Sequence, residues 1–132
     1  MANPSKAKGT RAETKVARYL SDHGLMTERK ALAGSKDRGD LRMLRPDGTE
    51  VTLEVKAGRQ TERLTRSMMM RWKAQTLAES KASGTKGALV ILRYHRSFID
   101  SEVWLPNSQW GGLQIGWTVM HINDFIRVMG GG

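Results

Sequence analysis

Hydrophobic and polar positions alternate with a period of two through Gly39 to Lys56, broken only at Arg45-Pro46-Asp47-Gly48-Thr49. Two strand-length runs flanking a Pro-Asp-Gly sequence predict a β-hairpin, because proline presets a turn dihedral and glycine accepts a positive one. On the second strand Val51, Leu53 and Val55 fall on one face, and Thr52, Glu54 and Lys56 on the other. Asp40 opens the first strand, so folding the hairpin returns its carboxylate to the neighbourhood of Glu54 and Lys56.

The rest of the chain reads as alternating helices and strands. Thr10-Arg11-Ala12-Glu13 fits a capping box, with Thr10 as N-cap of a helix that runs to about His23 and stops at Gly24. Its apolar stripe is Val16, Ala17 and Leu20, and Glu13 lies three, four and seven residues before them, on the same face. Leu25 to Leu32 reads as a polar edge strand, and Ala33 to Gly39 as a basic glycine-containing loop leading into Asp40. Ala57 to Arg66 reads as a loop of limited order. Ser67 to Ala82 has helical spacing, with Met70, Ala74, Leu77, Ala78 and Lys81 on one stripe and Met68, Trp72, Gln75 and Glu79 on its neighbour. Ala88 to Leu92 is a continuous apolar run suited to a buried central strand. Glu102 to Leu105 and Trp117 to His121 predict two further short strands, and Asn123 a cap for a last helix through Val128. Residues 1–9 read as a mobile basic arm and 130–132 as a frayed glycine tail.

At 132 residues this is one domain, large enough to bury a core without staples. Lysine and arginine outnumber aspartate and glutamate 22 to 13, a formal net charge of +9 that favours either a polyanionic partner or simply a solvated basic surface. Cysteine is absent, which excludes disulfides and thiolate metal sites. No apolar run reaches the length of a membrane span and no signal-peptide core opens the chain, so the expectation is a soluble intracellular protein with no membrane partner.

Two carboxylates beside one ammonium suit phosphodiester hydrolysis. Mg2+ takes oxygen ligands, typically one or two carboxylates plus waters and substrate phosphate oxygens, and a lysine can position the attacking water. A bare Glu-x-Lys pair is more often a cross-strand ion pair on a hairpin surface, so Asp40, Glu54 and Lys56 leave both readings open. Glu13 is likewise either a capping residue or a third carboxylate facing the hairpin. Gln75, polar on its stripe, either reaches the site or lies at the surface. Trp104, Trp110 and Trp117 read as packing residues before base-stacking ones. His23, His95 and His121 have no spacing that suggests a zinc site or a triad.

Taken in order, Gly9-Thr10-x-x-Glu13, Gly34-Ser35, Gly39-Asp40 and Glu54-Val55-Lys56 resemble the PD-(D/E)xK nuclease superfamily, and within it the Holliday junction resolvases of archaeal and phage type. The similarity covers roughly Lys8 to Tyr94. It implies an α/β fold, a mixed central sheet flanked by helices around a restriction-endonuclease-like core. It implies Mg2+, or Mn2+ in its place, on Asp40, Glu54 and the backbone carbonyl of Val55. Lys56 would orient or activate the water and Glu13 would complete the acidic cluster. Ser35, Lys36 and Arg38 would contact the scissile strand of DNA, with Arg11, Arg29 and Lys30 as further DNA-contact candidates. A homodimer acting on four-way junctions follows from the same resemblance. Gly39 stands where the superfamily name has proline, and Thr14 where archaeal resolvases often carry arginine. Other nuclease activities of the superfamily, such as flap or nonspecific cleavage, and noncatalytic DNA binding are the alternatives.

Overall fold

The alternation through Asp40 to Lys56 folds as predicted into an antiparallel pair. In the computed structural model, which describes residues 4–29 (backbone alone for 4–10), 40–111 and 115–132, β2 spans Asp40–Leu44 and β3 spans Glu50–Lys56. The turn closes by Gly48 N donating to Arg45 O, with Gly48 at φ +89°. An L side chain rarely adopts that dihedral, which is why glycine stands there.

Around the hairpin grows one six-stranded sheet in the order β1-β2-β3-β4-β5-β6, with β1 at Met26–Arg29, β4 at Lys86–Ile91, β5 at Glu102–Pro106 and β6 at Trp117–His121. Neighbours are antiparallel except β3 and β4. That one parallel pair needs a crossover, and helix α2, Arg66–Ser83, supplies it. Helices α1, Pro4–Asp22, and α3, Ile122–Met129, cover the opposite face. The sheet is therefore mixed and flanked by helices on both sides, as expected. None of the described helices is long and apolar enough to cross a membrane.

The α1/α3 layer holds the main core. Val16 and Leu20 of α1 and Phe125 and Ile126 of α3 close over Leu41, Met43, Val51, Leu53, Val90 and Val103. The α2 layer is thinner, with Trp72 over Leu89 and Ile91.

Several expectations are corrected. Helix α1 begins at Pro4, so Thr10 lies inside it, the capping box does not form there, and residues 4–9 are helical rather than an arm. On α2 the stripe of Met70, Ala74, Leu77, Ala78 and Lys81 faces outward and Trp72 of the neighbouring stripe is core as expected, but Thr76 and Ser80, on neither stripe, join it against the sheet. The helix lies so close to β4 that a Cβ on Gly87 would meet Ser80 Cβ at 2.9 Å, so small residues are required at the contact. Their hydroxyls donate to the helix's own carbonyls, Thr76 to Trp72 and Ser80 to Leu77, which satisfies them without water. Helix α3 starts at Ile122, leaving Asn123 inside it, where Oδ1 accepts from Tyr19 Oη at 2.6 Å. The glycine tail is tied down: Gly131 N donates to Ile126 O and Gly132 N to His23 O. The segment after Lys56 is pinned as well, through a 3-10 turn at Arg59–Thr61 with Thr61 fully buried.

Candidate metal centre

The register of the hairpin decides which side chains meet. Asp40 pairs directly with Glu54, and Leu41 with Leu53. Leu41 and Leu53 belong to the α1/α3 core, so Asp40 and Glu54, one residue on, point to the α2 side. Both are almost wholly buried, at 1% and 3% exposure. Lys56 follows on the same face, its Nζ 3.2 Å from Glu54 Oε1 and 5.7 Å from the ring of Trp72. The three residues predicted to converge do so, on adjacent strands under helix α2.

Helix α2 adds a group with no role assigned from sequence. Glu79 lies within hydrogen-bonding reach of Glu54, and Gln75 Nε2 donates to Glu79 Oε1 at 3.2 Å. Gln75 therefore connects to the site through Glu79. The 75/79 pair is an i, i+4 step on the stripe that also carries Trp72, which is the one signal in the sequence that pointed there. Glu54 Oε2 and Glu79 Oε2 are both buried, and among the described residues no N–H or hydroxyl group donates to either.

Two carboxylates so placed cannot both remain ionised without a cation or a proton. Burial pushes the Glu54 carboxyl up to about 9, the nearby Glu79 adds to the rise, and Lys56 offsets part of it. That rise favours the protonated form of Glu54 at neutral pH. A divalent ion is a chemically apt replacement for that proton. The donor set is hard oxygen, and the orphaned Oε2 of Glu54 is an available ligand atom. Among the described residues no three Asp, Glu or His groups gather tightly enough to cage an ion by themselves.

Glu13 approaches from the other layer. It is buried on α1 and ion-pairs with Arg29 Nε at 3.0 Å. Arg29 pairs with Leu41, the neighbour of Asp40, so Glu13 reaches the corner of the sheet where β2 begins, across the sheet from Glu54. A cleft of about 370 Å³ lined by Glu13, Thr14, Arg18, Arg29 and Leu41 opens there. Val55 lies between Glu54 and Lys56 with its side chain against the main core. Arg11 is exposed on the outer side of α1, beside Lys15 and Arg18. Lys30, Ser35, Lys36 and Arg38 lie outside the described residues. The tryptophans pack as expected: Trp104 and Trp117 against the α2 layer and Trp110 against the main core, its Nε1 donating to Gly87 O.

No protein-family model and no curated protein matches the chain. Its fold is similar to the solved structure of Archaeoglobus fulgidus Hjc, a Holliday junction resolvase from an archaeal hyperthermophile, with a TM-score of 0.50 at 14% sequence identity. The match covers 93% of this chain and 96% of that one, so the likeness of fold extends beyond Tyr94, past the stretch in which sequence motifs are recognisable.

Proposed function

We propose that the protein is a metal-dependent, structure-selective DNA endonuclease of the PD-(D/E)xK type, with four-way junctions as its leading substrate. The observation that carries this reading is the pairing of buried Asp40 with buried Glu54 and the approach of the half-buried Lys56, whose Nζ lies 3.2 Å from Glu54. A surface ion pair would leave both partners in water, whereas here a carboxylate and its orphaned oxygen are held out of water at a cost to the fold.

Asp40, Glu54 and the Val55 carbonyl would hold Mg2+ or Mn2+, and the ion when bound would acidify a water and neutralise charge on the scissile phosphate. Lys56 does the positioning. Its ammonium is held by the Glu54 carboxyl group and the Trp72 ring, and from there it would donate to the attacking water or to a phosphate oxygen. Glu79, held by Gln75, borders Glu54 on the α2 side. Glu13, restrained by Arg29, would bring a further carboxylate to the rim near Asp40. The formal charge of +9 supplies the attraction to a polyanion. Ser35, Lys36 and Arg38 would contact the scissile strand, and a homodimer would place two sites on the opposed strands of a junction.

Incubating the protein with a four-way junction, a flap and a plain duplex, in Mg2+ or in EDTA, tests the reading. Paired symmetric nicks in the junction that require Mg2+ and vanish in Asp40→Asn and Glu54→Gln are the expected result. Cleavage that persists in either variant would rule out the metal centre, and preferential cutting of the flap would replace the junction as substrate.

A further inference from the structure

β3 and β4 run parallel, so both leave the sheet at the end where Lys56 stands, and Leu92 N donates to Lys56 O at 2.9 Å. The two segments that continue from them, 57–61 and 92–96, are locked together by Thr61. Its hydroxyl proton is shared between Gly58 O at 2.8 Å and Leu92 O at 3.0 Å, and the same oxygen accepts from Tyr94 N at 2.8 Å. Its carbonyl accepts from Arg93 Nε at 2.9 Å, and Arg93 is itself ion-paired with Glu102. Such a network leaves these connections little freedom.

What the network holds up is a ring pair. The Tyr94 and His95 rings stand with centroids 3.9 Å apart, and the guanidinium of Arg59 lies 5.6 Å from the Tyr94 ring and donates to Tyr94 Oη at 3.4 Å. Arg59, His95 and Arg96 are exposed. His95 has φ +64°, the left-handed region, and among the described residues it alone adopts it without being glycine. The dihedral belongs to a tight turn, closed by Arg96 N donating to Arg93 O at 3.1 Å, in which His95 is the third residue. The turn sets the exposed His95 ring beside a second ring and a cation, on the connections that leave the sheet at the Lys56 end. Tyr94 is half-buried and His95 exposed, so the outer ring contributes little to the core.

A π-face flanked by guanidinium groups is the chemistry that receives an unpaired nucleobase and its phosphate. We propose that Arg59, Tyr94 and His95 form a stacking platform for an unpaired base of the DNA strand that passes the Lys56 end of the sheet. The proposal rests on the nuclease reading for its choice of partner, and it assigns the protein a means of favouring branch points and single strands over continuous duplex.

The test is binding of fluorescently labelled single strand, four-way junction and duplex in EDTA, with wild type, Tyr94→Leu and His95→Gly. Glycine adopts φ +64° freely, so His95→Gly should melt no lower than wild type while removing one ring. Both variants should lose about tenfold or more in affinity for single strand and junction, the scale of one lost stacking contact. Their affinity for duplex should change less. If both bind single strand and junction as wild type does, the platform is overturned, and wild-type cleavage of DNA would still uphold the nuclease. If the variants lose single-strand affinity but wild type never cuts DNA, the platform stands and the nuclease reading fails.

Discussion

On the α1/α3 side of the hairpin, Leu41, Met43, Val51 and Leu53 are fully buried, and the side chains packed with them in the core are apolar. On the α2 side, from alternate residues of the same two strands, Asp40, Thr52 and Glu54 are buried almost as deeply. The first face follows the rule that large apolar groups belong inside, and each side chain there contributes to stability. The second breaks it. Thr52 Oγ1 is satisfied by Thr85 Oγ1 at 2.7 Å, but Glu54 and Glu79 place two carboxyl groups together, with no N–H or hydroxyl donor among the described residues to either Oε2. A fold that buries such groups is less stable for it, and the loss is understandable where the groups have a ligand to meet.

The contrast can be broken from either side. The largest stability effect is expected from Phe125→Ala in the apolar layer, a loss of about 3–5 kcal/mol measured by denaturant unfolding. Gly87→Ala attacks the fit between α2 and β4, where the new methyl would meet Ser80 Cβ at 2.9 Å and Thr76 Cγ2 at 3.3 Å. The expected loss is about 1–3 kcal/mol. Gly87 also donates to Gln109 Oε1, whose amide in turn donates to Ser80 Oγ, so the same substitution should perturb that bridge.

The polar layer should show itself through pH. Glu54 has an ordinary value of 4.5 and is raised to about 9 in the folded, metal-free chain, chiefly by burial. The folded state therefore holds a proton that the unfolded state releases between those values. Its contribution to stability is fully present below about 4.5 and is lost as the pH rises toward 9. Melting temperature without metal should fall over that window, and Glu54→Gln should flatten the fall. The smallest effect is expected from Arg42→Ala. Arg42 ion-pairs with Glu28 and Glu50 on the exposed sheet surface, and no resolvable change in melting temperature is expected there.

Much of this was legible in the sequence where a local rule and the tertiary demand agreed. The hairpin turn, the apolar run of β4 and the convergence of Asp40, Glu54 and Lys56 all follow from period-two alternation and turn chemistry. The reading failed where the partner surface decided. Nothing local marks Thr76 and Ser80 as the buried side of α2, because that depends on the space left by Gly87 on a strand not yet paired. Thr10 satisfies a capping pattern but is overridden by helix continuing back to Pro4. Glu79 escaped because its neighbour Glu54 is far away in sequence, and His95 because a left-handed dihedral at histidine leaves no pattern.

The central claim is that the polar face is a metal centre, and calorimetric titration of Mn2+ into the metal-free protein near pH 7.5, roughly midway between the ordinary histidine and cysteine values, tests it most directly. Wild type should bind with release of protons, because the ion displaces the one held by Glu54, and Glu54→Gln and Asp40→Asn should each lose most of the affinity. A wild type that binds no Mn2+, or one whose binding is unchanged in both variants, would contradict the account.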